Sequence, residues 1–201
     1  MFSNYLNSYL KSHKIHYGWV MAGLVFLMTI MASAVSSTPQ LIILPITEEY
    51  NWQISDITNA IGLMFFTLAC LAPFSGALIL NLGVTPVVLI ALGLNIIGLG
   101  LSIISFEKWH FLITIGLFLG AASGIIGLGL TATVASRWFV KRRGLVVGFL
   151  TAAFAAGQLL FVPLMAWITT VVDWRFALLI HYGLFDFFYL ILFFGKNWPS
   201  D

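Results

Sequence analysis

Two ionisable side chains, His181 and Asp186, stand inside apolar sequence near the carboxyl end. A charge in hydrocarbon is costly, so such groups find a partner, face water, or serve as stations on an ion path. At about 100° per helical residue, Arg175, Tyr182, Asp186 and Tyr189 fall on one stripe, whereas His181 points roughly 140° away from Asp186. Two chemistries fit: a proton relay coupling an ion to another movement, or a neutral acid held by a tyrosine hydroxyl or a neighbouring helix. Upstream, Ser33, Ser36, Ser37 and Gln40 form a polar stripe beside Thr38-Pro39. Proline frees a backbone carbonyl and permits a kink, and together these features suit a helix that lines an aqueous path. Asn59, and Thr151 with Gln158 seven residues on, extend the same idea. The alternative is that serines bond back to their own helix and that Gln40 and Gln158 join helices to each other.

A nucleophile with a base is a second chemistry. Gly120-Ala121-Ala122-Ser123-Gly124 and His181-Tyr182-Gly183 lie in the fourth and sixth apolar stretches, the placement of the serine–histidine dyad in rhomboid-type intramembrane proteases. The resemblance stops short, because Ala121 stands where that family has glycine and the second stretch has no histidine to support an oxyanion. No phosphate loop, paired histidines at metal spacing or Gly-rich nucleotide motif occurs, so neither a cofactor nor a metal is expected. Cys70 is the single cysteine, which excludes an internal disulfide framework.

The elements that must position these residues are set by composition. The 201 residues are 61% hydrophobic and 8% charged, too few charges to wet the surface of a soluble domain, which needs about 25%. A bilayer core of about 30 Å takes roughly 20 apolar residues per helix. Six stretches qualify, 17–44, 54–80, 86–105, 111–136, 145–172 and 175–194, and they predict an all-α polytopic membrane protein with no room for a soluble domain. The divisions are a cytoplasmic interfacial segment over 1–16, a six-helix bundle over 17–195 and a cytoplasmic tail over 196–201. In the first, Phe2, Tyr5, Leu6, Tyr9 and Leu10 recur at helical spacing, which suits a helix lying in the membrane surface. The first apolar stretch is too long for a cleavable leader and is expected to stay in the product. Ser55 or Asp56 is placed to cap the second helix.

Charge sorts by side. Lys11, Lys14, Arg137, Lys141, Arg142, Arg143 and Lys196 share one face; Lys108 and Arg175 lie on the other with Glu48, Glu49, Asp56, Glu107 and Asp173. Positive residues favour the cytoplasm, so both termini are expected there, in a multi-pass cell membrane protein. Close helix approach in lipid depends on small residues, and Gly116, Gly120 and Gly124 at i+4 spacing mark the fourth span as tightly packed.

The segment Arg137-Trp138-Phe139-Val140-Lys141-Arg142-Arg143-Gly144, followed by Gly148, Gly157, Pro163 and Asp173-Trp174-Arg175, resembles the W-F-x-x-R-R-G … G-W-R pattern of the major facilitator superfamily. Tyr17-Gly18-Trp19-Val20 and Glu48-Glu49-Tyr50-Asn51-Trp52 are similar to its monocarboxylate and oxalate–formate porter branch. Gly76 and Gly83 keep the glycine spacing of the family's loop between the second and third spans. There Leu80 replaces the family's acid, and Asn81, Val84 and Thr85 replace its basic residues; the R-x-x-Q-G arginine of the fourth span is also missing.

The resemblance implies secondary transport of small organic anions by alternating access, with a 3+3 inverted repeat forming one half of a twelve-span protein. The first and fourth helices would line the cavity, the second and fifth would move as walls, and the third and sixth would support them. Arg142 and Arg143 would anchor the cytoplasmic rim. The implied partners are the lipid bilayer, the anion, and either a second six-helix half or a second copy of the chain; no nucleic acid is expected. A membrane scaffold that transports nothing is the remaining expectation.

Overall fold

The computed structural model describes residues 17–126, 133, 139 and 143–194, and all regular structure among them is helical. Helix α1, Tyr17–Leu41, passes through a turn at Ile42 into α2, Ile43–Tyr50. The break lies where two prolines act together: Pro39 sits inside α1, and Pro45 has no N–H for the carbonyl of Leu41 four residues back. Helical hydrogen bonds still bridge the turn, from Ile42 to Thr38 at 3.3 Å and from Ile46 to Ile42 at 3.1 Å. Pro45 is tolerated because it falls in the first turn of α2, where amide hydrogens lack intrahelical partners anyway. The polar residues after position 44 are therefore helical, up to Asn51, which ends α2 in the left-handed region (φ 52°).

Helix α3, Ile54–Leu82, starts from Gln53. The side chain of Asp56 accepts the Gln53 amide at 3.1 Å, so the expected cap of Ser55 or Asp56 is corrected: Gln53 is the cap and Asp56 the reciprocal partner three residues in. Gly83 (φ 87°) ends α3 and leads into α4, Val84–Ile103; an L side chain is strained at that φ. The fourth span is composite: α5, Lys108–Phe111, a π-wound stretch Leu112–Leu119, and α6, Gly120–Ile126. Helices α7, Arg143–Val171, and α8, Trp174–Phe194, complete the described chain. By length and composition Val25–Tyr50, Ile54–Leu82, Val84–Ile103, Lys108–Ile126 and Arg143–Val171 can each cross a membrane; α8, with 21 residues, follows as the sixth helix.

Side-chain contacts fix how the helices pair and in which direction they run. Phe26 stacks on Phe149, ring centroids 4.3 Å apart, and further along both helices Gly157 abuts Ile30 and Ser33, so α1 and α7 lie side by side and parallel. Gly116 meets Leu63, Gly120 meets Met64 and Thr67, and Gly124 meets Leu68 and Leu71; α3 and the fourth span are likewise parallel. Gly93 faces Tyr189 while Gly100 faces Tyr182, which makes α4 and α8 antiparallel. First with fifth, second with fourth, third with sixth: exchanging spans one to three for spans four to six returns the same set of pairs. That is the signature of a 3+3 inverted repeat.

The core follows these seams. Ile57, Met64, Leu99, Phe111, Ile115, Leu119 and Leu150 are fully buried, whereas the outward surfaces of α3 and α7 are apolar, with Leu80 81% and Leu159 80% exposed. An apolar exterior of that extent is unstable in water and is at home in lipid. The chain is an integral membrane protein.

Candidate functional site

The polar stripe on α1 divides in two. Ser33 donates to the Ile30 carbonyl at 2.6 Å, Ser36 to Ala32 at 2.9 Å, Ser37 to Ala34 at 2.9 Å and Thr38 to Ala34 at 2.8 Å. These hydroxyls are satisfied by their own helix, and Ser33, Ser37 and Thr38 are buried in the bundle. Gln40 is exposed. Asn59 on α3 and Thr151 on α7 are exposed too, and Gln158 is half-buried; the Thr151 hydroxyl returns to the Val147 carbonyl at 2.8 Å. Gln40, Asn59 and Gln158 thus leave amide groups on helix surfaces that the six-helix bundle does not fully cover.

His181 is fully buried. Its Nδ1 lies 3.0 Å from the Ala177 carbonyl, the Thr38 hydroxyl is 3.4 Å from the same nitrogen, and the Phe161 ring is 6.3 Å away, centroid to centroid. The histidine therefore ties α8 to α1 next to the proline kink, with α7 closing over it. Asp186, one and a half turns further along α8, is half-buried. The rings of Tyr182 and Tyr189 lie over Gly100 and Gly93 of α4. Ser123 is half-buried among the tightly packed residues of α6, while the hydrogen bonds of His181 go to Thr38 and Ala177.

The most developed polar constellation joins the other end of α1–α2 to α8. Arg175 binds Glu49 in a two-pronged pair, Nη1 to Oε2 at 2.9 Å and Nη2 to Oε1 at 2.8 Å. Its Nη2 also donates to the Tyr50 hydroxyl at 2.6 Å, and Trp174 Nε1 donates to Glu49 Oε2 at 2.7 Å. The guanidinium lies 4.3 Å from the Trp174 ring centroid. Paired geometry of this kind is the strong form of a charge-assisted bond. Beside it, Lys108 Nζ is 2.7 Å from Asp56 Oδ2 and 5.9 Å from the Trp52 ring centroid. The ends of four spans are drawn together in this way. Glu49 and Arg175 had each been placed on the same face by charge sorting, but nothing in one dimension joins an acid to an arginine 126 positions away.

Of the basic loop, Arg137, Trp138 and Arg142 lie outside the described residues, as does the interfacial segment 1–16. Phe139 is buried, and Arg143 and Gly144 are exposed at the start of α7. The small residues act unequally. A Cβ at Gly120 or Gly124 would stand 2.7 Å from the Met64 carbonyl oxygen or 2.9 Å from that of Leu68, while one at Gly76 or Gly144 would meet nothing within 4 Å.

Residues 24–199 match the Major Facilitator Superfamily. Monocarboxylate transporter 11 of Mus musculus is 26% identical over 164 residues, 82% of this chain and 36% of the relative. The same transporter of Homo sapiens is 25% identical over 164 residues, 82% of the chain and 35% of the relative. Monocarboxylate transporter 13 of Rattus norvegicus is 32% identical over 111 residues, 54% of the chain and 25% of the relative. The chain spans about a third or less of the length of these curated relatives.

Proposed function

Because this chain belongs to the Major Facilitator Superfamily, we propose that it forms one six-helix half of a secondary transporter for small organic anions of the monocarboxylate type, working by alternating access. The observation that carries this reading is the exposed polar set Gln40, Asn59 and Thr151, with Gln158 beside it, on α1, α3 and α7. An amide facing hydrocarbon is costly, and a second six-helix bundle across an aqueous cavity removes that cost. The relatives named as monocarboxylate transporters support the anion class, and their length supports a second half in preference to a second copy of this chain.

In this reading Gln40, Asn59, Thr151 and Gln158 line the substrate pathway with Ser37 buried behind them, and Asp186 is the group available for ion coupling while His181 fixes α8 against α1. Arg142 and Arg143 anchor the cytoplasmic rim to anionic lipid, both termini are cytoplasmic, and the location is the plasma membrane. No Lys or Arg lies at mid-membrane depth in the six spans; a carboxylate needs such a charge, and the second half would supply it.

Counterflow of labelled lactate, formate and oxalate in proteoliposomes tests the proposal. The chain by itself is expected to give no uptake, and uptake is expected once a second six-helix half from a monocarboxylate transporter is co-reconstituted. Uptake by the chain alone would replace the second half with a homodimer, and no uptake in either preparation would favour a scaffold.

A further inference from the structure

Threonines along these helices share one habit, a hydroxyl that bonds back to its own helix. Thr29, Thr38, Thr58, Thr67 and Thr151 each donate to the carbonyl four residues back, at 2.7–2.8 Å; Thr47 and Thr169 reach three residues back, at 3.0 and 2.9 Å. Thr114 breaks it: its hydroxyl is buried and has no hydrogen-bond partner among the described residues. Thr114 lies in the π-wound stretch Leu112–Leu119, where the backbone pairs i with i+5 and the carbonyl of His110 is carried out of the hydroxyl's reach. Asn95 Oδ1, one turn from Gly98 on the facing helix α4, and His110 Nδ1 are buried without partners as well, and Gly98 itself abuts the Thr114 carbonyl. Both ends of the stretch hold mixed registers. The Leu112 amide is shared between the carbonyls of Lys108 and Trp109, and the Gly120 amide goes three residues back to Leu117.

The neighbours decide which flank of the stretch can turn. Gly120 and Gly124 are seated on the backbone of α3, at 2.7 and 2.9 Å from carbonyl oxygens for an added Cβ, so the inner flank is locked. The outer flank, Lys108–Phe111, is held by a half-exposed ion pair, Lys108 to Asp56, and by the Phe111 ring set between Trp52 at 5.9 Å and Trp174 at 6.2 Å.

We infer that Leu112–Leu119 is a two-register switch in which rewinding from π to α turns Lys108–Phe111 by about one residue, roughly 100°. The turn gives the Thr114 hydroxyl the His110 carbonyl as acceptor, moves Lys108 off Asp56 and withdraws Phe111 from the two tryptophans. The outer end of the bundle loosens as a result. Backbone amides exchange an i−5 acceptor for an i−4 acceptor, so no hydrogen bond is lost in the change. The device is independent of what, if anything, is transported.

Spin–spin distances between labels at Ser55→Cys and Trp109→Cys, in the chain carrying Cys70→Ala and held in lipid nanodiscs, test the switch. Two distance populations are expected. Lys108→Gln should raise the minor one at least threefold, and so should 1 M salt on the Lys108 chain, because it screens the exposed pair. Thr114→Val, which keeps the shape and removes the hydroxyl that only α winding satisfies, should lower it at least threefold, and Thr114→Ser should preserve the parent ratio. A single population in every sample, or a parent ratio unmoved by Thr114→Val, would overturn the inference.

Discussion

Leucine at Gly157 is expected to lower the unfolding midpoint of the chain in detergent by roughly 10 °C. An added Cβ there falls on the Ser33 hydroxyl, within 2.6 Å of the Ile30 carbonyl oxygen and 2.9 Å of the Ile30 Cα. Two of these three obstacles are backbone, so relief requires α1 and α7 to separate along their whole parallel seam, with loss of the Phe26–Phe149 stack. Overpacking of this kind costs about 3 kcal/mol, and a chain of this size loses about 2–4 °C for each kcal/mol. Gly120→Leu should behave similarly against the Met64 carbonyl. Gly62→Ala and Gly148→Ala, in helices where a Cβ meets nothing within 4 Å, should be neutral or stabilising by up to about 1 kcal/mol, the helix propensity gained. Equal losses at all four positions, followed by thermal unfolding, would show that the glycines are not what sets the helix spacing.

Arg175→Gln carries the second large effect, a loss of about 1–2 kcal/mol. The substitution leaves Glu49, Tyr50 and Trp174 to share a network whose cation is gone, and hydrogen bonds to charged groups are worth about 1.5–3 kcal/mol when protected from water. The figure is set lower because the Glu49 side chain is 40% exposed and that of Arg175 26%, which admits solvent screening. Glu49→Gln should cost a similar amount, and the double variant little more than either single change, giving a coupling of about 1 kcal/mol in a double-mutant cycle. Simple additivity of the two losses would mean that the pair does not clasp α2 to α8. Lys108→Gln, at the separate Asp56 pair, should add independently to Arg175→Gln if the two clasps are energetically distinct.

How far the chain could be understood before its structure differs from residue to residue. The start of helix α4 was legible to within two residues, because Gly83 takes a backbone conformation that L side chains resist and Pro86 falls in the first turn, where a missing amide costs nothing. Gln53 was not legible as a cap: glutamine is no favoured capping residue, and only the return bond from Asp56 reveals it. Gly116, Gly120 and Gly124 announced close packing by spacing alone, yet Gly76, Gly144 and Gly148 carry the same residue type with no neighbour to demand it. For Ser33 and Ser37 periodicity leaves two outcomes of equal merit, a water-lined face or back-bonding in a packed seam; burial of both and their bonds to their own helix select the second, and at Ser33 Gly157 closes against it. The π winding of Leu112–Leu119 has no compositional mark; it is betrayed by the orphan hydroxyl of Thr114.

Amino-acid sequence by itself determined the solvent and the helical class, because these depend on sums: apolar run length against bilayer thickness and the scarcity of charge. Tertiary structure alone decided which helices touch, that Glu49 and Arg175 meet, that His181 is spent on Thr38 and Ala177, and which polar side chains are left uncovered. Those outcomes depend on pairs of residues far apart in the chain, brought together by van der Waals contact along glycine seams, and a linear pattern holds no record of distance in space.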